Sequence, residues 1–95
     1  KQYQLVTGGT SVSLEYPGTP LRNGSMGSTV RLMQGFLAEL RSPYPSLPAI
    51  TVDGIFDSNT EAAVRGFQRL FGLTVDGVIG PATWYEIIKQ RNLTV

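Results

Sequence analysis

Two aspartates stand in nearly identical surroundings, Val52-Asp53-Gly54-Ile55-Phe56 and Val75-Asp76-Gly77-Val78-Ile79. In both copies a threonine follows the aspartate by seven residues, Thr60 and Thr83, and the segment leads directly into a helical pattern. Two carboxylates are the minimum equipment for acid–base or glycosidase chemistry, so Asp53 with Asp76 is one reading. The other is structural. An Asp-Gly pair makes a tight turn, in which the aspartate bonds nearby backbone and the glycine supplies an angle other residues resist. The expectation is the turn: Asp53, Gly54, Asp76 and Gly77 shape the chain, and the valine and the residues after each glycine face the core.

The rest of the chain offers little for catalysis. Its 95 residues contain no cysteine and no histidine. This removes thiol catalysis, Cys- or His-ligated zinc, and every triad built on an imidazole. Seven carboxylates, eight basic side chains and some hydroxyls remain. No metal or other cofactor is expected. A net charge of +1 is too small for the phosphate-neutralising field of a nucleic-acid binder. No apolar run approaches the roughly 20 residues that span a bilayer. With 41% hydrophobic and 16% charged residues, the composition suits one globular domain. The lack of cysteine leaves the redox compartment open.

The elements that would position these groups divide the chain in two. Residues 1–16 read as an extended leader or a β-hairpin, and they are equally readable as a linker. Tyr3 and Leu5, then Val12, Leu14 and Tyr16, alternate with polar neighbours around Gly8-Gly9. Pro17-Gly18 and Pro20 then break regular structure. From residue 24 onward the pattern is helical. Val30, Met33, Leu37 and Leu40 make one apolar stripe with Phe36 beside it, and Arg31, Gln34, Glu39 and Arg41 fall largely off it. Ser28 is the expected cap. Gly35 inside this helix marks either a close backbone contact or a tolerated surface position. Pro43, Pro45 and Pro48 stiffen the connection that follows. A second helix begins near Ser58, with Ser58 and Glu61 as a capping box. Ala63, Val64, Phe67 and Phe71 form its buried face, and Gly72 is its stop. A third starts at Pro81 and buries Trp84, Ile87 and Ile88, with Asn92 and the residues after it expected to fray.

In this order and spacing, the segments resemble the peptidoglycan-binding-like domain of bacterial cell-wall hydrolases and spore-cortex enzymes. The matching pieces are Leu21-Arg22-Asn23-Gly24-Ser25-Met26-Gly27, Val30-Arg31-Leu32-Met33-Gln34 and Val52-Asp53-Gly54-Ile55-Phe56. They continue with Thr60-Glu61-Ala62-Ala63-Val64-Arg65-Gly66-Phe67-Gln68, Gly72-Leu73-Thr74-Val75-Asp76-Gly77 and Gly80-Pro81-Ala82-Thr83-Trp84. Asp57 stands where a glycine is common, and Met26 where a basic or polar residue is common. Both touch fine specificity, not the fold. The Pro-rich stretch looks like the variant of Gram-positive, clostridia-like wall proteins.

The resemblance implies a mainly α, compact three-helix domain over residues 17–95, with short extended turns. It also implies a secreted, non-catalytic wall module. Its partners would be peptidoglycan, both glycan strand and stem peptide, and a catalytic domain in the parent chain; a monomer is expected. Such a binder needs amide-pairing groups and a cation or two for peptide carboxylates. The candidates are Arg65, Gln68, Arg69 and Tyr85 on the outer faces of the second and third helices, and Tyr44 in the Pro-rich loop. Each taken singly reads first as ordinary surface, and Gln68 also as a bridge to the Asp76 turn. Trp84 is read as core before sugar platform. The competing function is a protein-interaction or prodomain-like module of the same fold. A small lytic enzyme is disfavoured because the carboxylates fall in turns and at helix starts.

Overall fold

The computed structural model describes residues 15–93. The strand alternation expected from Tyr3 to Leu14 lies outside the described residues. Three helices follow one another: α1 (Ser28–Leu40), α2 (Ser58–Leu70) and α3 (Pro81–Leu93). Among the described residues there is no strand, only two isolated antiparallel bridges, Leu21 with Ile79 and Met26 with Ile55. No helix among them is long and apolar enough to cross a membrane.

The helices form where the apolar spacing places them, but their starts differ in detail. Gly27, not Ser28, is the N-cap of α1, and it gives no side-chain bond. Asp57 caps α2, its Oδ1 accepting from the Thr60 amide at 3.1 Å. Because Asp57 takes that amide one residue earlier, Ser58 falls inside the helix and the expected capping box does not form. Glu61 turns outward and meets Arg65 and Asn23. Pro81 does open α3, and the Trp84 amide donates to the Gly80 carbonyl at 2.8 Å. Asn92 stays within α3 instead of fraying. Gly72 turns the chain out of α2 as expected.

α1 packs against both other helices. It supplies Val30, Met33, Phe36, Leu37 and Leu40 to the core, α2 supplies Val64 and Phe67, and α3 supplies Trp84, Ile87 and Ile88. Each such side chain, fully buried, contributes about 1.5–3 kcal/mol. Trp84 is 1% exposed, which is the core role expected of it. The connections add Leu21, Leu47, Phe56 and Ile79. Leu47 anchors the Pro-rich loop, whose carbonyl there accepts from Arg41 Nε at 2.9 Å. The loop lies close over α2 at Gly66, where a Cβ would come within 2.9 Å of Pro48.

Segment 21–27 runs past both repeated turns and pairs with each. Leu21 exchanges backbone bonds with Ile79 at 3.1 and 2.8 Å. Gly24 donates to the Phe56 carbonyl, Phe56 to the Ser25 carbonyl and Gly27 to the Gly54 carbonyl, each at 2.9 Å. Only the second residue after each glycine is buried, Phe56 and Ile79. Val52, Val75 and Ile55 are exposed, which corrects the expectation that they face the core. Extended backbone sends successive side chains to opposite sides, so only one of the two can point inward.

Candidate functional site

The repeated turns are held from behind by two buried glutamines. The Gln34 amide nitrogen reaches the Ile55 carbonyl at 2.9 Å, Thr60 Oγ1 at 3.0 Å and Asp53 Oδ1 at 3.3 Å. Its oxygen accepts the Asp53 and Gly54 amides at 3.0 and 2.7 Å. Gln68 repeats the pattern. Its nitrogen reaches Asp76 Oδ1 at 2.8 Å, the Val78 carbonyl at 3.0 Å and Thr83 Oγ1 at 3.1 Å. Its oxygen accepts the Asp76 and Gly77 amides at 3.0 and 2.9 Å. Each amide group thereby ties a helix to a turn and to the start of the next helix.

Within each turn the aspartate accepts the amide two residues on, Ile55 to Asp53 and Val78 to Asp76, both at 3.0 Å. Gly54 and Gly77 sit at φ +79° and +73°, in the left-handed region where glycine is favoured. Asp53 and Asp76 are therefore turn residues, each bound within its own turn. The Val78 amide holds the Asp76 carboxyl below its ordinary value, and Gln68 and nearby Arg65 act in the same direction.

The residues expected to touch a ligand fall in different environments. Gln68 does not lie on an outer face: it is 1% exposed, and both ends of its amide are engaged inside the protein. A polar group so placed is structural, which corrects its candidacy. Arg65 is half-buried and pairs with Glu61 at 3.1 Å. The bonds from Asn23 and Arg65 hold the Glu61 carboxyl below its ordinary value. Arg69 is exposed on the last turn of α2. Tyr44 is half-buried, its ring edge-on to Phe71 at 5.2 Å, so it offers less open surface than expected. Tyr85 is exposed, and its hydroxyl accepts the Tyr16 amide at 3.0 Å. That bond sets the Tyr16 ring edge-on against Trp84, 6.0 Å between centroids.

A groove of about 810 Å³ opens along α1, between segment 15–17 and Val52. Leu32, Phe36 and Trp84 line it with apolar surface, while Ser28, Thr29, Arg31 and Glu39 provide polar edges. Gly35 also lines it, and a Cβ placed there would meet nothing within 4 Å. No contact among the described residues therefore demands glycine at this position. The sequence alone does not assemble this groove, because its walls come from four separate stretches of chain. Sequence reasoning also missed Gln34, read as lying off the stripe of α1. The signal was present: Gln34 follows Val30 by four residues and precedes Leu37 by three, which is the buried side.

The sequence model of the family described as "Putative peptidoglycan binding domain" matches residues 26–87. The chain is 37% identical over 83 residues to N-acetylmuramoyl-L-alanine amidase CwlL of Bacillus licheniformis, covering 87% of this chain and 22% of that one. It is 43% identical over 73 residues to the zinc D-Ala-D-Ala carboxypeptidase of Streptomyces albus G, covering 76% and 27%. The chain thus spans about a quarter of the length of these curated relatives. Among solved structures, the SleB N-terminal domain superposes with a TM-score of 0.68 at 32% identity, covering 80% of this chain and 97% of that one.

Proposed function

Since the chain belongs to the peptidoglycan-binding domain family, we propose that it holds an attached or partner wall-hydrolysing enzyme on peptidoglycan without itself turning the polymer over. The observation that carries this reading is the extent of the match. Residues 26–87 take in α1, α2, both glutamine-held turns and the buried start of α3. The non-catalytic part has separate support. Asp53 and Asp76 are used in turns, Asp57 in a cap, Glu39 and Glu61 in ion pairs, and Glu86 in a bond to Gln90.

On this reading the domain acts as a monomer outside the membrane, in the wall or spore cortex. Residues 17–95 form the module, and residues 1–16 form its leader or link. Arg69 and Tyr85, with the less open Arg65 and Tyr44, contact the polymer. Contacts of this kind are weak singly, and a wall of repeating units keeps a tethered chain at high local concentration. The test is co-sedimentation of the purified domain with insoluble Gram-positive sacculi at low and moderate salt. Pelleting that survives moderate salt is expected. No pelleting at either salt would overturn the reading in favour of a protein-interaction module.

A further inference from the structure

We infer that the groove along α1 is the seat of the peptide part of peptidoglycan, with Arg31 receiving a stem-peptide carboxylate and the bare backbone at Gly35 admitting the peptide chain. The inference rests on the wall-binding reading and specifies where and which part of the polymer binds.

Three observations carry it. The first is Gly35. A mid-helix glycine weakens a helix relative to alanine. Here no described residue outside the helix's own backbone would touch the missing methyl, so its effect among them is to leave the groove floor open. The second is charge. Arg31 is exposed at the groove edge and enters no ion pair with any described residue, whereas Glu39 on the same helix is paired with Arg91 at 3.0 Å. A free guanidinium is the group suited to a planar carboxylate. The third concerns the aromatic rings. Sugar recognition by stacking needs an open ring face. Trp84 is 1% exposed with Tyr16 edge-on to it, and Phe36 carries the Arg91 guanidinium 4.7 Å above its ring. The groove therefore offers an apolar floor, hydroxyls, the Arg31 cation, the carboxylates of Glu15 and the Arg91-paired Glu39, and three rings of which none is exposed, Phe36 and Trp84 being buried and Tyr16 half-buried. That combination fits short methyl side chains, amides and a carboxylate.

The experiment titrates the 95-residue chain, followed by amide NMR, with a synthetic sugar-free stem pentapeptide and separately with glycan strands stripped of peptide. Wild type is compared with Gly35→Leu and Arg31→Gln, and sacculus pelleting is run in parallel. The pentapeptide is expected to shift the amides around Arg31 and Gly35. Each substitution should weaken its binding by about tenfold or more, through filled space in one and a lost charged bond in the other. Gly35→Leu should leave the melting temperature unchanged or raised. Peptide shifts that map instead to Arg69 and Tyr85, or peptide binding that both variants retain, would overturn the groove assignment while sacculus pelleting keeps the wall reading. Shifts in the groove from stripped glycan alone would overturn the peptide assignment. A lowered melting temperature in Gly35→Leu with peptide binding intact would mean that the chain itself fills the groove, and would overturn it too. Failure of wild type to pellet with sacculi would remove both readings together.

Discussion

The turn at Asp53 and the turn at Asp76 share a glutamine clamp, an aspartate bond and a left-handed glycine, yet they are embedded differently. The first lies 19 residues after its glutamine, across the Pro-rich loop, and the second only 8 residues after. Gly54 faces backbone, with the Gly27 carbonyl 3.1 Å from where a Cβ would be. Gly77 faces side chains, Glu61 Cγ at 2.9 Å and Arg65 Nε at 3.0 Å. The threonine of the first unit is followed by a surface glutamate, Glu61, and that of the second by the buried Trp84. The same local device thus serves two ends: the first copy organises the surface, and the second sets the largest core side chain.

The sharpest break in this parallel should come from the residue after each threonine. Trp84→Ala is expected to cost about 3–5 kcal/mol as a core cavity. In a domain of this size each kcal/mol is about 4–8 °C of melting temperature. Glu61→Ala should leave thermal melting close to wild type. Equal effects in calorimetry would show that the two positions are not distinguished by burial.

Removing the clamps should come next. Gln34→Ala and Gln68→Ala each strand two backbone amides and are expected to cost about 3 kcal/mol apiece by urea unfolding. A cost under about 1 kcal/mol in either would mean that water replaces that amide. The glycines then separate the copies. Both alanine variants bear about 1–2 kcal/mol of left-handed strain. Gly54→Ala should cost more than Gly77→Ala, because a carbonyl within a bonded segment cannot swing aside as Glu61 and Arg65 can. The reverse order would show that the Glu61–Arg65 pair is the stiffer wall.

The smallest effect is one of pH. The folded Asp76 carboxyl lies below its ordinary value of 3.8, so its contribution is complete above that value and is lost as pH falls through the lower folded one. Asp76→Asn should therefore flatten part of the fall in urea midpoint as the solution is acidified below about pH 5. Glu61, lowered in the same sense, would still contribute to that fall. An unchanged acid limb would show that the Val78 amide bond does not depend on the charge.

Much of the fold was legible because the signals are local. Apolar spacing located all three helices, Pro81 and Gly72 their ends, and the Asp-Gly pairs the turns. What escaped depends on contacts between distant stretches. Gln34 reads as surface because glutamine usually is, and only the turn it meets makes its burial tolerable. Gln68 reads from sequence both as ligand group and as bridge, and its burial fits the bridge. Ser58 lost the cap to Asp57 because both residue types cap well and only backbone geometry chooses between neighbours. Val52 and Val75 look like core by type, but the pleat of the chain turns them out.

The proposed anchoring role would put the domain under load, and segment 21–27 would decide how it yields. Tension arriving through residue 15 loads the bond from the Tyr16 amide to the Tyr85 hydroxyl and the Tyr16 ring on Trp84 before it reaches the segment. Behind these stands the reciprocal pair at Leu21 and Ile79, and behind that the three bonds at Gly24, Ser25 and Gly27. Resistance therefore rises as the segment peels inward. The outermost bond acts as a fuse, and the segment parts from the second turn before it parts from the first. The glutamine clamps lie outside this line of pull, so a partly peeled domain keeps both turns in shape and can close again when the tension drops.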